Sequence, residues 1–282
     1  VAVVIGHFNS GTTLPASKIY AKAGIPMITP SATNPDITRA GLGTVYRVIA
    51  TDAQNAGNAG AYAASVTKAK RIAIIDDRTA FGQGEADEFE KAAKANGGTI
   101  VAREFTNDKA VDFSAQLTKI KSTNADLVFF GGLDAQAAML VKRMRQLGIR
   151  AQFLAGGGVM NGNFIRLAGN AAEGASVWEY GQPLSRLAKG KLFETKFKQK
   201  YGVDMLAYAP FAYDATWIAI NAMQKANSTK PADFNGALQD TRYDGITGTI
   251  AFTNTGDLKN PSSTLYEVKN AAWQPVTTKS AD

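Results

Sequence analysis

The sequence predicts an α/β protein built from two similar blocks with parallel sheets, and three observations carry that prediction. Short apolar runs of strand length alternate with helical stretches through the first 155 residues. Two Ser/Thr/Asn-rich turns, GHFNSGTT at residues 6–13 and TPSATNP at 29–35, each follow an apolar run. The alternation then ends in strands joined by short turns at Asn254-Thr255-Gly256-Asp257 and Asn270-Ala271, which is an antiparallel finish.

Val1-Ala2-Val3-Val4-Ile5 is apolar at every position, as a parallel strand buried on both faces requires. A helix follows at 14–23, with Ser10, Thr12 or Thr13 as its N-cap. Residues 45–48 read as a short strand and 52–65 as an Ala-rich helix. Strands at 71–75, 99–103, 126–130 and 152–155 then alternate with helices at 82–95, 113–122 and 135–147. Right-handed crossovers place the functional loops of such βαβ units at the carboxyl ends of the strands. A strand at 175–178 leads through Glu179-Tyr180-Gly181-Gln182-Pro183 into helices at 187–201 and 208–226, and strands at 246–252, 263–268 and 273–276 close the chain.

Composition narrows the chemistry. A chain of 282 residues, 45% hydrophobic, has room for two lobes. The net charge of +7 is spread over helical stretches such as 189–200, where Lys and Glu alternate with apolar residues, so it reads as a solvated surface and no nucleic-acid partner is expected. With no cysteine, disulfides, thiolate chemistry and Cys-ligated metals are excluded. The single histidine, His7, excludes His clusters for zinc. No apolar run approaches the ~20 residues that span a bilayer. The chain opens directly on a core strand, which predicts residues missing ahead of it.

The glycine-bearing turns Gly82-Gln83-Gly84, Gly131-Gly132 and Gly156-Gly157-Gly158 carry neither the Lys-Ser/Thr of a Walker loop nor a dinucleotide fingerprint. They read instead as places where the backbone bends sharply or comes close to something. Asp76-Asp77 and Asp134 end or follow strands, where Asp is commonly a turn or cap residue. No nucleophile and base pair is evident, so no catalytic residue, metal or cofactor is expected. What remains is a set of strand-end turns carrying hydroxyls, amides and aromatics, an inventory suited to a small polar ligand.

The segments GHFNSGTTLPASKIY and GIPMITPSATNPDIT, followed by RIAIIDDRTAFGQG, DFSAQL and DLVFFGG, resemble the periplasmic leucine/isoleucine/valine-binding proteins of ABC importers along essentially the whole chain. The resemblance implies two Rossmann-like lobes joined by a three-crossing hinge that close on a ligand in the cleft. Lobe 1 is then 1–50 plus 180–250, lacking its N-terminal βα units, and lobe 2 is 51–179 plus 251–282. It also implies that Ser10 and Thr33 hold a ligand α-carboxylate, with Ser31 and Ala32 giving backbone contacts and Phe8 and Asn9 flanking the pocket. The ligand side chain then packs near Phe8 and Tyr208 or Phe211. From the second lobe Phe81 supplies an aromatic wall, Asp52 borders the site at the first hinge, and Leu133 or Asp134 makes a further contact. The partners implied are a small-molecule ligand and membrane permease subunits, and the location implied is periplasmic.

One departure bears on the ligand. Where the amino-acid binders place an acid against the ligand ammonium, this chain has Gly157. A buried ammonium without a partner is costly. Either another acid substitutes, Asp134 first and Glu179 second, or the ligand is an organic or aromatic carboxylate without an ammonium group. Three other readings stand beside the importer component: an enzyme using Ser10, a ligand-sensing regulator of the same fold, and a protein in which both turns merely cap helices.

Overall fold

The structure, a computed structural model, describes residues 1–280. The chain enters its first unit with β1 (Val4–Ile5), α1 (Ser10–Lys22), β2 (Met27–Thr29), α2 (Asp36–Arg39) and β3 (Val45–Arg47). A second unit follows: α3 (Asp52–Ser65), β4 (Arg71–Asp76), α4 (Ala80–Ala95), β5 (Thr99–Phe105), α5 (Ser114–Ser122) and β6 (Leu127–Gly131). It continues with α6 (Asp134–Gln146), β7 (Gln152–Ala155), α7 (Gly162–Ala168) and β8 (Ser176–Tyr180). The chain then returns to the first unit with α8 (Ala188–Tyr201), α9 (Ala209–Ala226), α10 (Pro231–Gln239), β9 (Arg242–Asp244) and β10 (Thr249–Ala251). Finally β11 (Ser262–Lys269) and β12 (Ala272–Ser280) complete the second unit's sheet. The units are Val1–Thr51 with Gly181–Ser262, and Asp52–Tyr180 with Ser263–Lys279.

In the first unit β1, β2 and β3 form a parallel sheet in that order, with Val4 beside Met27 and Ile28 beside Tyr46. Adjacent parallel strands put the turns after β1 and β2 side by side at one sheet edge. These are the two hydroxyl-rich turns.

The second unit's sheet runs β12-β11-β8-β7-β6-β4-β5, parallel from β5 to β8 and antiparallel where β11 meets β8. Alternation with period two divides its core. Ile75, Val128, Phe130 and Phe153 pack under α5, α6 and α7, while Ile72, Ile74, Phe129 and Leu154 pack against α3 and α4. Each such side chain, fully withdrawn from water, contributes roughly 1.5–3 kcal/mol. The order reverses between β4 and β6, so the loops leaving these strands diverge there, the place where open α/β sheets bind ligands.

Glycines set how closely the elements meet at that edge. A methyl on Gly82 would overlap the Gly131 carbonyl oxygen, and a methyl on Gly131 would overlap that of Gly82. The first turn of α4 therefore rests on the end of β6. That contact fixes the direction in which Phe81 and Glu85 leave the helix.

Some boundaries differ from expectation for identifiable reasons. The N-cap position of α1 is Asn9, with extended backbone and no side-chain cap bond, rather than Ser10, Thr12 or Thr13. The strand expected at 246–252 is shortened to β10, because Asp214 of α9 takes the Ile246 and Thr247 amide hydrogens, each at 2.9 Å, away from any ladder. The first unit extends to Ser262 rather than ending at 250. Within it Phe252 lies 5.0 Å from the Tyr46 ring and Asp257 is bonded to Arg47. Helix α10, not expected from the sequence, begins on Pro231, a residue suited to a first helical position.

Candidate functional site

In the first unit the two opening turns are joined by hydroxyl oxygens. Thr29 Oγ1 accepts the amide hydrogens of Ser31 at 3.3 Å and Ala32 at 2.9 Å, and donates its own hydrogen to the His7 carbonyl at 3.1 Å. Ser10 Oγ accepts from Thr33 at 3.3 Å and Asn34 at 3.2 Å. These bonds fill both of its lone pairs. Its O–H hydrogen has no acceptor among the described residues, although Ser10 is 1% exposed. Ser10 is therefore a buried donor held in place by the neighbouring turn, and not the cap of its own helix.

Ser31 Oγ donates to the Phe8 carbonyl at 3.0 Å, tying the second turn to the first. Ser31, Ala32 and Thr33 are buried, whereas Asn9 and Phe8 are exposed. Phe8 meets Tyr208 edge to face with ring centroids 5.4 Å apart, and Tyr208 lies 6.5 Å from Phe211. Behind the turn Arg47, fully buried, donates to the carbonyls of Ala32 at 3.2 Å and Asn34 at 2.8 Å. The structure thus gathers Phe8, Ser10, Ser31, Ala32, Thr33 and Tyr208 at one end of the first unit.

In the second unit the candidates sit at the carboxyl ends of the parallel strands. Phe81, half-buried, begins α4 after β4, Asp134 begins α6 after β6, and Gly157 follows β7. The side chain of Asp134 is engaged by Asn163 Nδ2 at 2.8 Å. Asp52, the first residue of α3, is fully buried and accepts from the Tyr180 hydroxyl at 3.0 Å.

Gly157 is the centre of a buried acidic cluster. Its amide donates to Glu85 Oε1 at 2.7 Å, and the same oxygen lies 3.2 Å from the Tyr180 hydroxyl. The Gly158 amide donates to Glu179 Oε2 at 3.1 Å and the Tyr180 amide to Glu179 Oε1 at 3.1 Å. A methyl at 156 would overlap the Glu85 carboxylate, and one at 157 would overlap the Tyr180 ring. The space a side chain would take at 157 is filled by Tyr180. Burial pushes the Glu179 carboxyl up to about 7, against the pull of its amide bonds. Burial, together with the charge of Asp52, raises Glu85 well above the usual carboxylate range.

Glu85 is the residue of this cluster that the sequence reading missed, whereas Tyr180 was among the strand-end aromatics it named. The signal for Glu85 was its spacing: Glu85, Phe89 and Ala93 recur at four-residue intervals on one helix face, and all three are buried. A concavity of about 830 Å³ lies at the other end of this sheet, lined by residues such as Thr67, Lys70, Asp126 and Arg150, and holds none of the candidates. Among the described residues no group of three metal-ligating side chains occurs, and no helix is long and apolar enough to cross a membrane.

The sequence pattern of the periplasmic binding protein family matches residues 1–272. The chain belongs to that family. This periplasmic binding protein is 34% identical over 273 residues to Leu/Ile/Val-binding protein homolog 1 of Brucella abortus, an alignment covering 96% of this chain and 73% of the relative. It is 33% identical over 270 residues to the leucine-, isoleucine-, valine-, threonine- and alanine-binding protein of Pseudomonas aeruginosa, covering 95% of this chain and 71% of that one. The crystal structure of the leucine-binding protein LivK from Thermotoga maritima superposes with a TM-score of 0.92 at 28% identity, over 99% of this chain and 79% of the other. The fold is that of the type I periplasmic binding proteins, and the chain is a solute-binding protein rather than an enzyme.

Proposed function

We propose that this protein is the extracytoplasmic solute-binding component of an ABC importer, taking a branched-chain or related amino acid. The observation that carries the reading is Ser10: a buried hydroxyl whose lone pairs are filled by the Thr33 and Asn34 amides and whose hydrogen is left to donate. Thr29, in the same pair of turns, accepts two amides in the same way but spends its hydrogen on the His7 carbonyl. Ser10 alone of these two hydroxyls is therefore set to meet an incoming acceptor, and a ligand carboxylate supplies one. Phe8 and Tyr208 offer an apolar edge beside it for an aliphatic side chain. The relatives' names support branched-chain amino acids as the class. Closure of the two units over the ligand and docking on permease subunits complete the proposal, with differential affinity for the closed state as the driving force.

A second reading is favoured by one observation. The side-chain space at Gly157 is filled by Tyr180, so no carboxylate can project from that position. A carboxylate ligand without an ammonium group would suit such a wall.

Calorimetric titration of the purified protein with L-leucine, L-isoleucine and L-valine tests the main reading. Binding that falls about tenfold or more in Ser10→Ala, the scale of one lost hydrogen bond to a charged group, is expected. Saturable binding of the three amino acids that is untouched by Ser10→Ala would remove Ser10 from the site, and absence of binding by the folded protein would overturn the reading.

A further inference from the structure

We infer that Glu85 holds the amino group of the ligand, a task that belongs to α4 in this chain because position 157 has no side chain. The inference rests on the reading of the protein as an amino-acid binder and identifies which acid completes the recognition.

Three observations carry it. Glu85 is fully buried, yet its Oε2 has no hydrogen-bond partner among the described residues, while Oε1 has two. A buried carboxylate oxygen left bare is costly unless a cation or donor meets it. The second observation is place: the Glu85 head group lies against the Gly156-Gly157 backbone, in the volume that a methyl at 156 would enter. The third is a comparison with Glu179 and Asp134, the two acids that the sequence offers as substitutes; Asp52, also fully buried, shares the Tyr180 hydroxyl with Glu85 and belongs to the same cluster. Glu179 has an amide on each oxygen, and Asp134 is engaged by Asn163. Of Glu85, Glu179 and Asp134, Glu85 is the one that combines full burial with an oxygen still to be satisfied.

Tyr180 is the positioning residue in this arrangement. Its hydroxyl has a single hydrogen to share between Asp52 Oδ1 at 3.0 Å and Glu85 Oε1 at 3.2 Å, and its ring closes the space beside Gly157. The Gly157 amide and the tyrosine together hold Oε1, which leaves Oε2 to face the ligand. An ammonium group there would be met by Glu85 with the charge of Asp52 close behind, and burial then strengthens the attraction.

The test compares L-leucine with 4-methylpentanoate, the same skeleton without the amino group, by calorimetry on the full chain. Wild type should bind leucine at least about tenfold more tightly. Glu85→Gln should weaken leucine by about thirtyfold or more while changing 4-methylpentanoate by less than about threefold. Equal losses for both ligands, or no loss for leucine, would overturn the assignment while leaving the amino-acid reading intact. Should Glu85→Gln fail to fold, the wild-type pair decides: a preference for 4-methylpentanoate overturns the assignment. Binding of neither compound, nor of isoleucine or valine, overturns the assignment and the underlying reading together.

Discussion

Arg47 Nη2 lies 2.7 Å from Asp257 Oδ1, and this pair ties the last strand of the first unit's sheet to a loop 210 residues later in the chain. The guanidinium is fully buried and spends its other hydrogens on Thr38 Oγ1 at 2.6 Å and on the carbonyls of Ala32 and Asn34. One cation thereby fixes the backbone that presents Thr33. Because the charge is buried, its value lies in being fully paired rather than in raw attraction.

Removing the acid alone should therefore be worse than neutralising it. Asp257→Ala leaves a buried guanidinium short of its partner and is expected to destabilise the fold by roughly 3 kcal/mol, the lower end for a broken buried pair because the aspartate side chain is 25% exposed. Asp257→Asn keeps an acceptor oxygen for Arg47 and for the Thr38 hydroxyl, which donates at 2.7 Å, and should lose less. Urea denaturation of the two variants beside wild type reads the difference. Equal stability of Ala and Asn variants would show that the pairing contributes little.

The acidic cluster makes stability depend on pH with a definite sign. Glu179 titrates near 7 in the folded protein against an ordinary value of 4.5, so between these values the folded state binds more protons than the unfolded one. Its contribution is fully present below the unfolded value and is lost as pH rises through the folded one, a change of about 3 kcal/mol. Glu85 is raised too, by burial and by Asp52, and acts with the same sign. The ligand-free protein should thus lose stability from about pH 5 to about pH 8, and Glu179→Gln should flatten that slope. The slope is the readout and not the absolute midpoint, since glutamine turns an amino group toward one of the amides that Glu179 accepts. A slope unchanged in Glu179→Gln would assign the dependence elsewhere.

The alternation of strand and helix was legible because it depends on local periodicity: α3 falls on Asp52–Ser65 and β7 on Gln152–Ala155, as the sequence indicates. The role of Ser10 was legible only as a choice between cap and ligand group. The bonds that decide it come from Thr33 and Asn34, 23 and 24 residues away, and no local pattern carries them. The extension of the first unit to Ser262 was hidden for the same reason, since Asp257 is held there by Arg47. Glu85 was hidden differently. It stands in a helix that also carries Asp87, Glu88 and Glu90, so it reads as one member of a solvated acidic face, although its own spacing places it with Phe89 and Ala93 in the core.

Position 157 offers a direct trial of how the acidic cluster is built. Gly157→Asp places a Cβ within the Tyr180 ring, an overlap that a rigid core can relieve only by moving backbone or ring, and overpacking of this kind costs about 1–3 kcal/mol. The single variant should melt earlier than wild type. Shortening the tyrosine removes the obstruction, so Gly157→Asp combined with Tyr180→Ala should be more stable than the sum of the two single changes, a coupling on the order of 1 kcal/mol for residues in direct contact. The combined variant also returns a carboxylate to the strand end beside Glu85, and leucine affinity should then no longer fall when Glu85→Gln is added. Additive stabilities would mean that the ring yields freely to a side chain at 157. A leucine affinity that still collapses with Glu85→Gln would mean that α4, and not the turn after β7, sets the geometry of the charge.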